Sequence, residues 1–181
     1  MNICPDDLTV DKLYRFDWDH EESIVGAFCR RFPDGWILIN FFGSDLTPDG
    51  FHIFNEHEVL CVTELDAENI HVRANPSVKY DQQGITGSAS DFRSCLDLLV
   101  KNWKIIGIYN KRDGYGSLEI GVKNKVTDHA LSYEFVTTEA KLDGKETVIR
   151  FDEILALSFG GRYEAALYRA IGPGRLEPPL T

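Results

Sequence analysis

Apolar residues in this chain recur at every second position, in short runs cut by turn residues. On that alternation Ile24–Phe28, Trp36–Phe42, Phe51–Phe54 and Val59–Val62 read as strands, rich in aromatic and β-branched side chains. Pro33-Asp34-Gly35 and Pro48-Asp49-Gly50 read as turns, because proline presets one dihedral and glycine supplies the positive φ that other residues resist. Residues 63–87 are polar and mixed, a connection that carries at most a short strand around Ile70–Val72. The period then lengthens. Ser88-Ala89-Ser90-Asp91 has the spacing of a helix N-terminal cap, and Phe92, Cys95, Leu96 and Leu99 follow at intervals of three and four as one apolar stripe.

Five further strands are expected at Trp103–Tyr109, Ser117–Val122, Ala130–Val136, Glu146–Phe151 and Leu155–Phe159, with turns at Asp113-Gly114 and Asp143-Gly144. A closing helix over Arg162–Ile171 would put Tyr163, Ala166, Leu167 and Ala170 on one side, and Gly172-Pro173-Gly174 would stop it. Pro178-Pro179 marks a loose tail.

The pattern occurs twice. Residues 23–50 lie over residues 117–144 without a gap: Ser23 falls on Ser117, Asp34 on Asp128, Phe41 on Phe135, and Asp49-Gly50 on Asp143-Gly144. One inserted residue extends the match, so that Glu58-Val59-Leu60-Cys61-Val62 answers Glu153-Ile154-Leu155-Ala156-Leu157. A repeat of 94 residues is too long for a solenoid and suits two copies of a small domain. The expected division is a first, degenerate copy over 1–65, a linker over 66–87, a second copy with flanking helices over 88–172, and a tail over 173–181.

One helix followed by five short strands, from Phe92 to Phe159, resembles the order of Sm-like domains, whose strands close into a small SH3-type barrel. The ending, Ile149-Arg150-Phe151-Asp152-Glu153-Ile154 and then Phe159-Gly160-Gly161-Arg162-Tyr163-Glu164-Ala165-Ala166-Leu167, is similar to that of uncharacterised bacterial proteins with such barrels. The first copy resembles a worn version, with Tyr14–Trp18 where its first strand should stand. The resemblance implies a mainly β protein of two tandem SH3/Sm-like small β-barrels, with a helix before the second and another at the end.

It does not bring the RNA-contacting residues with it. Sm-like RNA binders carry a glycine and then Asp-x-φ-Asn (φ apolar) between strands two and three, and an Arg-Gly or Lys-Gly pair near strands four and five. Gly121-Val122-Lys123-Asn124-Lys125-Val126 does not reproduce the first motif, and Arg150-Phe151 does not supply the second.

Charge points the same way. The chain of 181 residues has 29 acidic and 19 basic side chains, a net charge of −10, and its field repels nucleic acid and anionic membrane while drawing in a basic protein. No apolar run approaches the roughly 18 residues that span a bilayer. The N-terminal residues show no secretory pattern, and Cys4, Cys29, Cys61 and Cys95 are widely spaced, as buried thiols of a cytoplasmic protein are.

Catalytic candidates are few. Asp17-Trp18-Asp19-His20-Glu21-Glu22 alternates carboxylates as a hard cation would need, but lacks the glycine turn and the downstream glutamate of a calcium loop. His52 and His57 lie five apart and point to opposite faces of a straight strand. Cys95 sits on the apolar stripe and reads as core. No metal, cofactor or enzymatic activity is expected.

One strand stands out. In both copies alternate positions of the third strand are bulky and apolar, Ile37, Ile39 and Phe41 against Leu131, Tyr133 and Phe135, and should line each barrel. On the other face the second copy has Ala130, Ser132, Glu134 and Val136, a solvated set, whereas the first has Trp36, Leu38, Asn40 and Phe42. A strand apolar on both sides is covered on both sides. Trp36, Leu38 and Phe42 are therefore the candidate contact surface, whether between the barrels, between subunits of a homo-oligomer or with a partner. The function expected is protein binding without catalysis, as an adaptor, inhibitor or immunity-type protein. The alternative is a diverged Sm-like binder of nucleic acid or nucleotides.

Overall fold

The computed structural model describes residues 4–18, 23–44, 47–65, 88–112, 117–172 and 176. The Ile70–Val72 strand, the 66–87 linker, the Asp113-Gly114 turn, residues 19–22 of the acidic stretch and the Pro178-Pro179 tail lie outside them. The protein is mainly β, with ten strands and two α-helices among the described residues.

The first half contributes β1 (Leu13–Asp17), β2 (Ser23–Arg31), β3 (Trp36–Phe42), β4 (Pro48–Asn55) and β5 (Cys61–Glu64). Helix α1 (Phe92–Asn102) leads into β6 (Ile105–Asn110), β7 (Leu118–Val126), β8 (Ala130–Val136), β9 (Leu142–Arg150) and β10 (Ile154–Phe159), and α2 (Arg162–Ile171) follows. All ten strands form one antiparallel sheet in the order β5-β1-β2-β3-β4-β10-β6-β7-β8-β9. Each half thus runs fifth-first-second-third-fourth, and the two meet where β4 pairs with β10.

The repeat extends to local irregularities. Register shifts fall between Phe28 and Arg30 in β2 and between Val122 and Lys125 in β7. They recur between Asn40 and Phe42 in β3 and between Glu134 and Val136 in β8. Such bulges bend a strand and raise its twist. A short 3-10 turn precedes the last strand of each half, Glu56–Glu58 in one and Phe151–Glu153 in the other.

Three apolar clusters hold the sheet. Tyr14, Phe16, Trp18, Ile24, Phe28, Ile37, Ile39, Phe54 and Val62 form the core of the first half. A larger cluster joins the halves: Trp36, Leu38, Phe51 and Ile53 from the first, Phe92, Cys95, Leu96 and Leu99 from α1, and Ile106, Ile108, Leu131, Tyr133, Ile149, Leu157 and Phe159 from the second. Burying each large side chain of α1 contributes about 1.5–3 kcal/mol, so the helix is held by packing rather than by its own propensity. The third cluster sets Leu167 and Ile171 of α2 against Ile105, Ile120, Val122 and Val136.

Two local expectations are corrected. The cap of α1 is Asp91, not Ser88. Its carboxylate accepts the Ser94 N–H at 2.7 Å, and Ser94 Oγ accepts the Asp91 N–H at 3.1 Å. The hydrogen bonds that Ser94, first through its backbone N–H, and then Ser90 donate to the Asp91 carboxyl hold it below the usual carboxylate range. In α2 the buried stripe is Glu164, Leu167 and Ile171, while Tyr163 is 51% exposed and Ala166 and Ala170 face solvent. Glu164 can turn inward because Ser158 Oγ donates to its Oε1 at 2.7 Å. Val136, expected on the solvated face of β8, is buried because α2 lies over it.

Candidate functional site

The junction between the halves gathers polar groups as well as apolar ones. Along β4 and β10, Phe51 faces Phe159, His52 faces Ser158, Ile53 faces Leu157 and Phe54 faces Ala156. His52 is buried and stacked on Phe41 at 4.1 Å, and burial pushes its pKa down to about 3 against a smaller upward pull from Asp49. His57 lies in the 3-10 turn beyond β4, with its ring against Gly35. The two histidines are not brought together.

Both helices of the second half begin on the first half, one at the Asp34 turn and the other at the start of β4, where Pro48-Asp49-Gly50, expected as a turn, is strand instead. Asp34 Oδ2 accepts the Phe92 N–H at 3.0 Å, at the start of α1. Asp49 Oδ1 accepts the Arg162 N–H at 2.7 Å, at the start of α2. Gly50, at φ +85°, lets the chain pass so close to β10 that an added Cβ would lie 2.5 Å from the Phe159 carbonyl oxygen. The counterparts, Asp128 and the Asp143-Gly144 pair that begins β9 rather than forming the expected turn, do neither. Asp128 pairs with Arg93 at 3.0 Å on the surface, Asp143 Oδ1 accepts the nearby Lys145 N–H at 2.9 Å, and Gly144 has nothing within 4 Å of its would-be Cβ.

Of the sequence-selected residues, Trp36 and Leu38 are buried against α1, where the Trp36 ring stacks on Phe92 at 3.7 Å and 8°. Phe42 is half-buried at the end of β3. Cys29 and Cys95 are buried in the same cluster, and desolvation pushes both thiols up to about 12. That removes the thiolate a nucleophile would need. Among the described residues, no three His, Cys, Asp or Glu side chains gather into a metal-binding group. No described helix is long and apolar enough to cross a membrane.

The described residues also form a cleft of about 610 Å³, where the end of α1, the start of β6 and α2 meet. Ile105 and Glu164 are its buried residues, Trp103, Gly160, Ala165 and Tyr168 also line it, and Asn102, Lys104 and Arg169 are exposed. Trp103 caps α1, its N–H donating to the Leu99 carbonyl at 2.8 Å. Its ring packs 5.1 Å from that of Phe159. It lies over Gly160, where a Cβ would meet Trp103 Nε1 at 2.9 Å. Sequence reading missed this cleft because its residues come from three separate elements and share no motif.

At the opposite edge of the second half, no strand among the described residues pairs with the outer side of β9. The Phe151 N–H bonds the His129 carbonyl, which sets the phase in which Ile149 and Thr147 bond β8. Arg150, Val148 and Glu146 therefore aim their backbone groups away from the sheet. Val148 is 62% exposed, whereas Ile53, its counterpart in β4, is fully buried opposite Leu157.

Comparison with family models, curated protein sequences and solved structures gives no match for this chain.

Proposed function

We propose that the protein is a non-catalytic interaction module built from two Sm-like small β-barrel units joined edge to edge, and that it binds a protein partner. The observation that carries this reading is the unequal use of equivalent strands. β4 is docked on β10, while among the described residues no strand pairs with the outer edge of β9, its repeat, where Val148 is exposed and the Arg150 N–H alone is taken up, by Glu153 Oε2 at 3.2 Å. An open edge with an exposed apolar side chain suits strand addition, in which backbone hydrogen bonds give affinity and alternate side chains give selectivity. Lys145 and Glu146 on that edge limit indiscriminate pairing. The net charge of −10 favours a basic partner. Trp36 and Leu38 serve this reading indirectly, by fixing α1 and so the two units to each other.

The test is capture from native lysate with the wild-type chain and with Val148→Pro, which removes one outward N–H and leaves the β8 ladder intact. A basic protein retained by the wild type, released by salt and lost with the variant is the expected result. Equal retention by both, or co-purifying RNA that survives moderate salt, overturns the proposal.

A further inference from the structure

We infer that β9, when no other strand holds it, pairs with β9 of a second copy of this chain, the two strands running antiparallel about a two-fold axis at Val148. The inference rests on the reading of β9 as an edge for strand addition and names what covers that edge before a partner arrives.

The pattern along the edge is self-complementary. Glu146, Val148 and Arg150 alternate along β9, so their side chains share one face, and all three are exposed. Their backbone groups also point one way, because Thr147 and Ile149 take the bonds to β8. In an antiparallel pair centred on Val148, the two Val148 side chains meet, and each Glu146 lies opposite Arg150 of the second copy. An apolar contact at the axis is then flanked on both sides by opposite charges, each a favourable cross-strand pair. Other registers lose this. Centring on Glu146 or Arg150 sets like charges face to face, and centring on Thr147 or Ile149 sets Val148 against a charge.

Arg150 brings commitments of its own. Its Nε and Nη2 donate to Asp152 at 3.0 and 2.6 Å, an exposed pair that adds little and can be shared. Its backbone N–H is taken by Glu153 Oε2 at 3.2 Å, so this end is joined through the side chain and the backbone exchange centres on Val148.

The repeat supplies the competing arrangement. Copying the β4–β10 junction between chains would set β9 on β5 of the next copy. Phe51 pairs with Phe159 at that junction, and their counterparts in the repeat are Glu146 and Glu64, so an acid would face an acid. Glu64 is also already held by Lys12 Nζ at 2.6 Å. A closed pair is therefore favoured over an open string of copies. Away from the edge two chains of net charge −10 repel each other, which keeps the pair weak and lets a basic strand displace it.

The experiment is sedimentation equilibrium of the purified full-length chain between about 5 and 500 µM, the range of weak, small interfaces. The mean mass should rise from 20.5 kDa toward twice that value and no further. Glu146→Arg sets an arginine opposite Arg150, and Arg150→Glu sets a glutamate opposite Glu146; each should weaken the dimer at least about tenfold. Mixed in equal amounts, the two variants put arginines on one strand against glutamates on the other and should pair as the wild type does. A role in folding alone would not be rescued by mixing. If Arg150→Glu fails to fold, Glu146→Arg carries the test, since Glu146 is exposed and forms no hydrogen bond or ion pair among the described residues. A wild-type mass that stays at 20.5 kDa, one that climbs past the dimer, or a dimer indifferent to Glu146→Arg overturns the inference. Capture from lysate answers separately. A monomeric wild type that still retains a basic protein through β9 removes the self-pairing alone, whereas a dimer abolished by Val148→Pro beside unchanged capture removes the basic partner and keeps the self-pairing.

Discussion

Asp49 accepts the backbone N–H of Arg162 at 2.7 Å, across 113 residues of chain, and so caps the last helix from the start of β4 in the first half. Arg162 Nη2 also reaches Asp49 Oδ2, at 3.3 Å. The helix has no other side-chain cap, because Gly161 at its N-cap position carries no oxygen to supply one.

Removing that cap should therefore loosen the halves. Asp49→Ala is expected to cost about 1 kcal/mol, within the 0.5–2 kcal/mol range of lost caps. Asp143→Ala, at the equivalent but solvent-facing start of β9, should stay within about 0.5 kcal/mol of the wild type. Urea midpoints of the two variants measure the difference, and equal midpoints would refute the capping role.

The Asp-Gly pairs at the starts of β4 and β9 give a second contrast. Alanine at Gly144 must adopt φ +75° with open space around it, a strain of about 1 kcal/mol. Alanine at Gly50 must adopt φ +85° and also collide with the Phe159 carbonyl and the Gly161 N–H. Gly50→Ala should thus destabilise by at least about 3 kcal/mol, through strain and through lost β4–β10 pairing. Thermal melts of both variants decide it.

Trp36 and Phe92 should be coupled. Each single change to alanine is expected to cost about 3–5 kcal/mol, as for buried aromatic rings in general. Because the rings stack at 3.7 Å, the double variant should fall short of the sum by about 0.5–1.5 kcal/mol. Leu38→Asp places a carboxyl group in the same cluster and should prevent folding. Additive losses at Trp36 and Phe92 would show that α1 does not depend on this contact.

Stability should fall on mild acidification. His52 has its folded pKa lowered to about 3 from an ordinary 6.5, so the unfolded chain binds the proton first. Its contribution is fully present above pH 6.5 and declines as pH falls toward 3, by about 1.4 kcal/mol per pH unit. The depressed carboxyls of Asp91, Glu139 and Glu153 lose their contributions only at lower pH, below their ordinary values of 3.8 and 4.5. Between pH 6.5 and 5 the slope belongs largely to His52, and His52→Phe should flatten it in denaturant titrations.

Much of the local structure was legible in the residues. Trp36–Phe42, Ala130–Val136 and Arg162–Ile171 form the elements their periodicity predicts, with the same limits. Other boundaries moved where a neighbour intervened: Trp103, read as the start of a strand, closes α1 instead, and β6 begins at Ile105. The inward face of α2 was misread because Glu164 is polar by sequence and becomes buried only through Ser158, which lies on another element. None of the cleft was foreseen, since Trp103, Lys104, Glu164 and Arg169 have no common spacing.

The sequence by itself determined the alternation of strand and turn, the two helices, the 94-residue repeat and the apolar excess on β3. These follow from short-range sterics and from which side chains leave water, and both are written in neighbouring residues. Only the tertiary structure decided that α1 covers Trp36 and Leu38, that β4 docks on β10, and that Asp34 and Asp49 cap helices of the other half. Those choices depend on which edges and faces meet across long stretches of chain. The two copies carry nearly the same bulges, so local pattern cannot distinguish the edge that pairs from the edge that no described strand joins. The distinction arises where Ile53 finds Leu157 opposite it and Val148 faces solvent.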